Sequence, residues 1–202
     1  MKVLLHICCA PCTVYPLRVI RAEGSEVAGF FYNPNIHPYT EFRKRREAAA
    51  EYGRVALLPI FIDETYDLGS FLASALQAGK DRCLPCYRLR LEAAFRKAAE
   101  EKADAVTTTL LYSIYQRHEA VAAVGRELSS RYGMPFLYRD FRSGWKEGRS
   151  EAARLGIYRQ AYCGCIFSEY ERFGPKTAAE KAALKGSGPG RRGPERGGGE
   201  KR

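Results

Sequence analysis

The chain has 202 residues, 46% of them apolar and 28% charged, with a formal charge of +10 at neutral pH, which suits one globular domain carrying an appendage. No apolar run is long enough to span a bilayer, and an odd count of seven cysteines fits a secreted disulfide framework poorly. Met1 to Ala10 lacks the pattern of a secretory leader, so the expectation is a cytoplasmic protein with no membrane partner, whose thiols stay reduced.

In chain order, Lys2–Ile7 reads as a short buried strand, followed at once by Cys8-Cys9-Ala10-Pro11-Cys12. Pro11 stands where a first helical turn begins, and that helix is expected to run to about Arg21. Glu26–Tyr32 is a second strand, closed by Asn33-Pro34-Asn35. Tyr39–Tyr52 has helical character, with Gly53 expected as its C-terminal stop. Its basic run Arg43-Lys44-Arg45-Arg46 reads as a solvated face, with Arg43 and Arg46 on the same side as Tyr39. Ala56–Ile62 is a third strand, and Pro59 argues for an irregular or edge position. Cys83-Leu84-Pro85-Cys86 opens an amphipathic helix, Leu84–Lys102, where backbone N–H groups stabilise thiolates. Ala105–Leu111 is a strand containing Thr107-Thr108-Thr109, Gln116–Tyr132 a helix and Phe136–Phe141 a strand, and Cys163-Gly164-Cys165 comes later. From Gly174 onward the chain turns to Lys, Ala, Gly, Pro and Arg, with eight Lys/Arg against three Asp/Glu. The reading is a folded domain over 1–173 and a disordered basic tail over 174–202 that holds half of the net charge.

Strands alternating with helices imply an α/β domain of Rossmann-like, three-layer form with a parallel sheet. Ligands of such sheets bind beyond the carboxyl ends of the strands, where the three cysteine groups can meet. Thiols bunched in this way hold a metal or run redox chemistry. Cys9 and Cys12 alone look like a thioredoxin-type pair, and Cys83, Cys86, Cys163 and Cys165 could hold a structural zinc. An iron–sulfur cluster is a third reading.

Four stretches sharpen this. His6-Ile7-Cys8-Cys9-Ala10-Pro11-Cys12, Arg82 to Leu91, Thr107 to Ser113 and Tyr158 to Ser168 together resemble the cobalamin-independent epoxyqueuosine reductase family, which completes queuosine in tRNA. The resemblance runs from about Val3 to Phe173, and Ile114 stands where the family would have Pro. It implies a fold related to the adenine nucleotide hydrolase-like group, a [4Fe–4S] cluster, and room for a second mononuclear iron. Carried over residue by residue, Cys8, Cys9, Cys83 and Cys86 would hold the cluster. Cys163 and Cys165 would form a redox-active pair or hold the second iron, and Cys12 would be an extra ligand or a buried small hydrophobe. The partners implied are tRNA bearing the modified anticodon base and an external electron donor.

Removing an epoxide oxygen takes two electrons, two protons and a proton donor. Tyr162, Tyr158 and His118 are candidates, although His118 reads first as an exposed helix residue and His6 as a buried, hydrogen-bonded one. Arg82, Tyr87, Arg88 and Arg159 interleave charge with aromatic rings in a way that suits phosphates and splayed bases. Gly164 permits the backbone that a small Cys163–Cys165 ring would need. Two other classes compete. A tRNA-thiolation enzyme on a similar fold would need a phosphate-binding loop where Cys8–Cys12 stands, and a zinc-stapled RNA-binding domain would need no catalytic residue.

Overall fold

A computed structural model describes residues 1–175, so nearly all of the basic segment expected from residue 174 lies outside the described residues. Four strands, β1 (Lys2–His6), β2 (Glu26–Phe31), β3 (Ile60–Ile62) and β4 (Ala105–Thr108), form one sheet in the order β3-β2-β1-β4. Every pairing is parallel. Val3, Leu4, Leu5 and His6 are all fully buried, and so are Thr107 and Thr108, so both faces of the central strands are covered. That is the burial a parallel sheet requires.

The helices are α1 (Ala10–Ala22), α2 (Tyr39–Val55), α3 (Leu68–Ala78), α4 (Cys83–Glu100), α5 (His118–Tyr132), α6 (Trp145–Arg154) and α7 (Ile166–Phe173). Helix α1 packs on α2 and α6, while α4 packs on α3 and α5 as well as on β1 and β4. Among the described residues no helix is long and apolar enough to cross a membrane.

Four expectations need correcting. Gly53 does not end α2, which runs on to Val55. A Cβ on Gly53 would lie 2.8 Å from the Ile60 side chain and 3.0 Å from the Leu58 carbonyl, so the glycine lets helix and strand approach closely. The third strand keeps only Ile60–Ile62, and it is the sheet edge that Pro59 suggested. Phe136–Phe141 is no strand: Val106 donates to the Pro135 carbonyl and accepts from the Leu137 amide in one isolated bridge. The chain then turns into a short 3₁₀ helix, Phe141–Gly144, capped by Asp140. Finally, the fourth strand ends at Thr108 because Thr109–Leu111 coils into another 3₁₀ turn.

Strand order reverses between β1 and β4, since β1, β2 and β3 step outward one way and β4 returns on the other side of β1. The crevice beyond the carboxyl ends at such a switch point is where open α/β sheets bind ligands.

Candidate active site

Each of the three cysteine groups lies at a helix N terminus, where unpaired N–H groups and the helix dipole favour negative charge. Cys9 caps α1 and Cys12 lies in its first turns, Cys83 and Cys86 occupy the first turn of α4, and Cys165 caps α7. The loop after β1 is pinned from both sides of the sheet. The Cys8 amide donates to Thr109 Oγ1 at 2.9 Å, and Asn33 Nδ2 donates to the Ile7 carbonyl at 2.9 Å. His6 behind it is fully buried, hydrogen-bonded to Thr108 Oγ1 at 2.8 Å, and pushed down to about 3 by desolvation, so it is neutral.

The sulfurs of Cys8, Cys9 and Cys12 lie within 4.8 Å of one another, a group with no carboxylate in it. Cys12 therefore stands among the thiols as well as in the core. Hydrogen bonds from the Cys12 and then the Cys9 thiol hold Cys8 well below the usual thiol range, while Cys12 is pushed well above it and burial raises Cys9. Of the three, Cys8 is the thiol that the environment favours for ionisation. Cys83 and Cys86 stand outside this group, and desolvation raises both, Cys86 to about 12. All seven thiols are free.

Arg90 links the two sets. It is 2% exposed, its Nη1 is 4.0 Å from the Cys86 sulfur, and its Nη2 donates to Asn33 Oδ1 at 2.6 Å. Its charge also acts on Cys8 and Cys163. Cys163 is exposed as a residue, yet its sulfur faces the recess and accepts from Gln116 Nε2 at 3.2 Å. Desolvation there raises this thiol, so it keeps its proton at neutral pH. Gln160 Nε2 donates to the Cys9 sulfur at 2.9 Å.

The Cys163-Gly164-Cys165 turn is held by α2. Arg45, buried with Glu41 at 2.7 Å, donates to the Cys163 and Tyr162 carbonyls at 2.8 and 3.1 Å. The basic run is therefore no uniform solvated face: Arg43 and Lys44 are exposed, but Arg45 points inward. Gly164 has φ +142°, and a Cβ there would meet Arg45 and Ile36 at 3.2 Å, so only glycine fits. The Gly164 carbonyl accepts from His37 N at 2.8 Å.

These elements enclose a recess of about 850 Å³, lined by Cys8, Cys12 and Cys163 with Arg90, Tyr112 and Tyr162. That volume suits a small-molecule or nucleoside-sized ligand. Of the candidate proton donors, only Tyr162 lines it, and its hydroxyl donates to the His37 carbonyl. Tyr158 donates to Glu41 at 2.6 Å, and desolvation pushes both tyrosines up to about 12. His118 is not an exposed helix residue: it is 5% exposed, at the start of α5, hydrogen-bonded to Tyr138 at 3.0 Å and away from the recess wall.

Of the candidate substrate contacts, Arg159 lines the recess. Arg82 lies over the Phe167 ring and pairs with Glu171, while Arg88 pairs with Glu127 at 2.6 Å. Tyr87 is buried, its hydroxyl donating to Gln116 at 2.9 Å and accepting from the Arg117 amide, so it supports Gln116 from behind. The sequence reading missed Gln116, Gln160, Asn33, Arg45 and Arg90. Only Arg90 left a local signal, one helical turn after Cys86.

Soft sulfur donors select iron–sulfur clusters or zinc over hard cations. Arg90 is placed to compensate thiolate charge, the two glutamine amides donate to sulfurs, and buried Arg90 Nε and Gln160 Oε1 have no hydrogen-bond partner of their own. The residues fit a thiolate-bound metal group.

A family model described as Epoxyqueuosine reductase QueH matches residues 3–171. Curated relatives carry the same name. One from Dehalococcoides mccartyi is 33% identical over 173 residues, spanning 86% of this chain and 95% of its own. Another from Thermotoga maritima is 34% identical over 179 residues, spanning 84% and 91%. One from Helicobacter pylori is 34% identical over 179 residues, spanning 82% of this chain and 48% of its own. Because the match takes in all three cysteine groups and almost the whole described fold, the chain belongs to the epoxyqueuosine reductase QueH family of oxidoreductases.

Proposed function

We propose that this chain reduces epoxyqueuosine in tRNA to queuosine at the thiol-lined recess. The observation that carries this reading is the joining of Cys8 and Cys12 of the three-thiol group, the buried Arg90 cation and the protonated Cys163 thiol on one cavity wall. Cys8, Cys9, Cys83 and Cys86, with Cys12 as a further donor, would hold a [4Fe–4S] cluster. That cluster would supply electrons one at a time, and Cys163 and Cys165 would gather the pair, either as a dithiol or by holding a mononuclear iron.

The chain's own residues do the rest. Both epoxide C–O bonds break, an alkene forms, and the oxygen leaves as water after gaining two protons. In the dithiol form, the two S–H bonds of Cys163 and Cys165 supply both protons and both electrons as the S–S bond forms, and the cluster's part would be to return that disulfide to the dithiol. Cys163 offers a proton directly from the recess wall, because desolvation keeps its thiol protonated. Where those sulfurs hold iron instead, Tyr162 is the proton donor on that wall, released when its hydroxyl leaves the His37 carbonyl. Arg45 fixes the Tyr162 and Cys163 backbone, so both donors keep their positions. Arg90 offsets the negative charge that thiolates place beside the substrate.

The test is an anaerobic assay with chemically reduced protein and tRNA carrying epoxyqueuosine, read by mass spectrometry of the nucleosides. Loss of one oxygen from the modified base, dependent on Cys8, is expected. No conversion by protein with full iron and sulfide would overturn the reading.

A further inference from the structure

Arginines over much of the surface are matched by carboxylates: Arg18 by Glu147, Arg88 by Glu127, Arg139 by Glu23 and Arg154 by Glu151. At the recess this changes. Arg149, Arg159 and Arg172 all line it and are exposed, and none forms an ion pair among the described residues. The acidic lining residue Glu171 pairs with Arg82, so these three guanidinium groups converge on the opening without ion-pair partners and mark a place for an anionic ligand.

Two aromatic rings stand among them. Tyr115 is 64% exposed although it lies beside a packed core. Its ring meets Trp145 edge-to-face at 5.6 Å and 81°. Trp145 is itself backed by Tyr112 at 5.1 Å, and the Arg149 guanidinium lies over the indole at 5.5 Å. The Tyr115 backbone is pinned by its amide donating to Ser113 Oγ at 3.3 Å. The ring is therefore held at one edge by a fixed partner while much of its surface stays open to solvent. Aromatic faces alternating with unpaired guanidiniums are how single-stranded nucleic acid is held, base on ring and phosphate on cation.

We infer that Tyr115 and Trp145 form a stacking platform for the nucleobase next to the reacting one, and that Arg149, Arg159 and Arg172 hold the adjoining phosphates. This rests on the reading of the recess as the site of a reaction on tRNA. A base drawn into the recess loses its stacking neighbours, and the platform replaces one of them at the rim. An acidic peptide would meet the cations but gain nothing from the exposed ring.

Trp145 is the only tryptophan in the chain, so its fluorescence reports on the platform directly. The experiment titrates the full-length anaerobic protein with an unmodified RNA hairpin carrying guanosine at the target position. Trp145 emission should be quenched at saturation. Tyr115→Ala should weaken binding about tenfold, and Tyr115→Phe, which keeps the ring, should restore it. Of two hairpins, each abasic at one neighbour of the target, one should bind the parent and the Tyr115→Ala protein equally. Arg149→Gln, Arg159→Gln and Arg172→Gln should each flatten the slope of log affinity against log salt by about 0.7–0.9.

Unquenched Trp145 at saturation, Tyr115→Ala binding within twofold of the parent, or equal quenching by polyglutamate would overturn the platform. Because this binding needs no turnover, the two readings fail separately. Epoxide reduction with unquenched Trp145 refutes the platform alone, and quenching without reduction refutes the proposed reaction alone.

Discussion

Sealing a guanidinium inside a protein costs several kcal/mol unless charge and hydrogen bonds offset it. Arg90 is sealed with no carboxylate partner: it bonds Asn33 and faces Cys86, Cys8 and Cys163. Its compensation comes from the sulfurs around it, and if these hold the proposed cluster Arg90 would help to set its reduction potential. A nearby cation favours the reduced, more negative form of a centre. Arg90→Gln should therefore lower the midpoint potential by tens of millivolts, and Arg90→Lys by less, as read by anaerobic spectroelectrochemical titration. At the same scale, Cys163 bonds Gln116 and Cys165 caps α7, both outside the three-thiol group. Cys163→Ala and Cys165→Ala should abolish turnover yet leave most of the visible absorbance. Loss of the chromophore in either variant would make these sulfurs primary ligands. The cysteines themselves were legible because they bunch. Their supports were not, because Gln160 meets Cys9 across 151 positions and Arg45 meets Cys163 across 118.

The elements were legible where the pattern is local. Lys2–Ile7 is a short, mostly apolar run and became β1, buried from Val3 onward, and Pro59 marked β3 as an edge. Three helices left too little signal. α3 carries apolar residues on several sides, α6 has Trp145 as its one large apolar residue, and α7 has only eight residues and buries none of them. Phe136–Phe141 had strand composition, but its chain is diverted after one bridge by the Asp140 cap. Gly53 gives a test at this scale. Alanine is better than glycine in a helix by about 1 kcal/mol, so Gly53→Ala on an open face would stabilise. Here the new methyl would press on the Leu58 carbonyl and Ile60, and overpacking costs about 1–3 kcal/mol. Chemical denaturation should show a net loss of stability. A gain would mean that β3 moves aside freely.

For the whole molecule, the parallel sheet and its reversal between β1 and β4 bring loops far apart in sequence to one rim. That is why Cys8, Cys12 and Cys163 share one recess, which gathers residues from Cys8 to Arg172. The segment beyond residue 175 carries the rest of the charge asymmetry, with eight Lys/Arg against three Asp/Glu from Gly174 onward. Removing it should leave folding and metal content intact, weaken tRNA binding at low salt and flatten the salt dependence. At about 1 M salt, where screening acts within roughly 3 Å, truncated and full-length proteins should bind alike. Superimposable affinity curves at every salt concentration would show that the segment plays no part in binding.

The central claim is that these thiols hold a redox-active iron–sulfur centre. Its most direct test is one visible absorption spectrum of protein purified without oxygen, with iron, zinc and acid-labile sulfide measured on the same sample. The account predicts a brown protein with iron and sulfide in cluster proportion, bleached by reductant. A colourless protein holding stoichiometric zinc and no sulfide would contradict it.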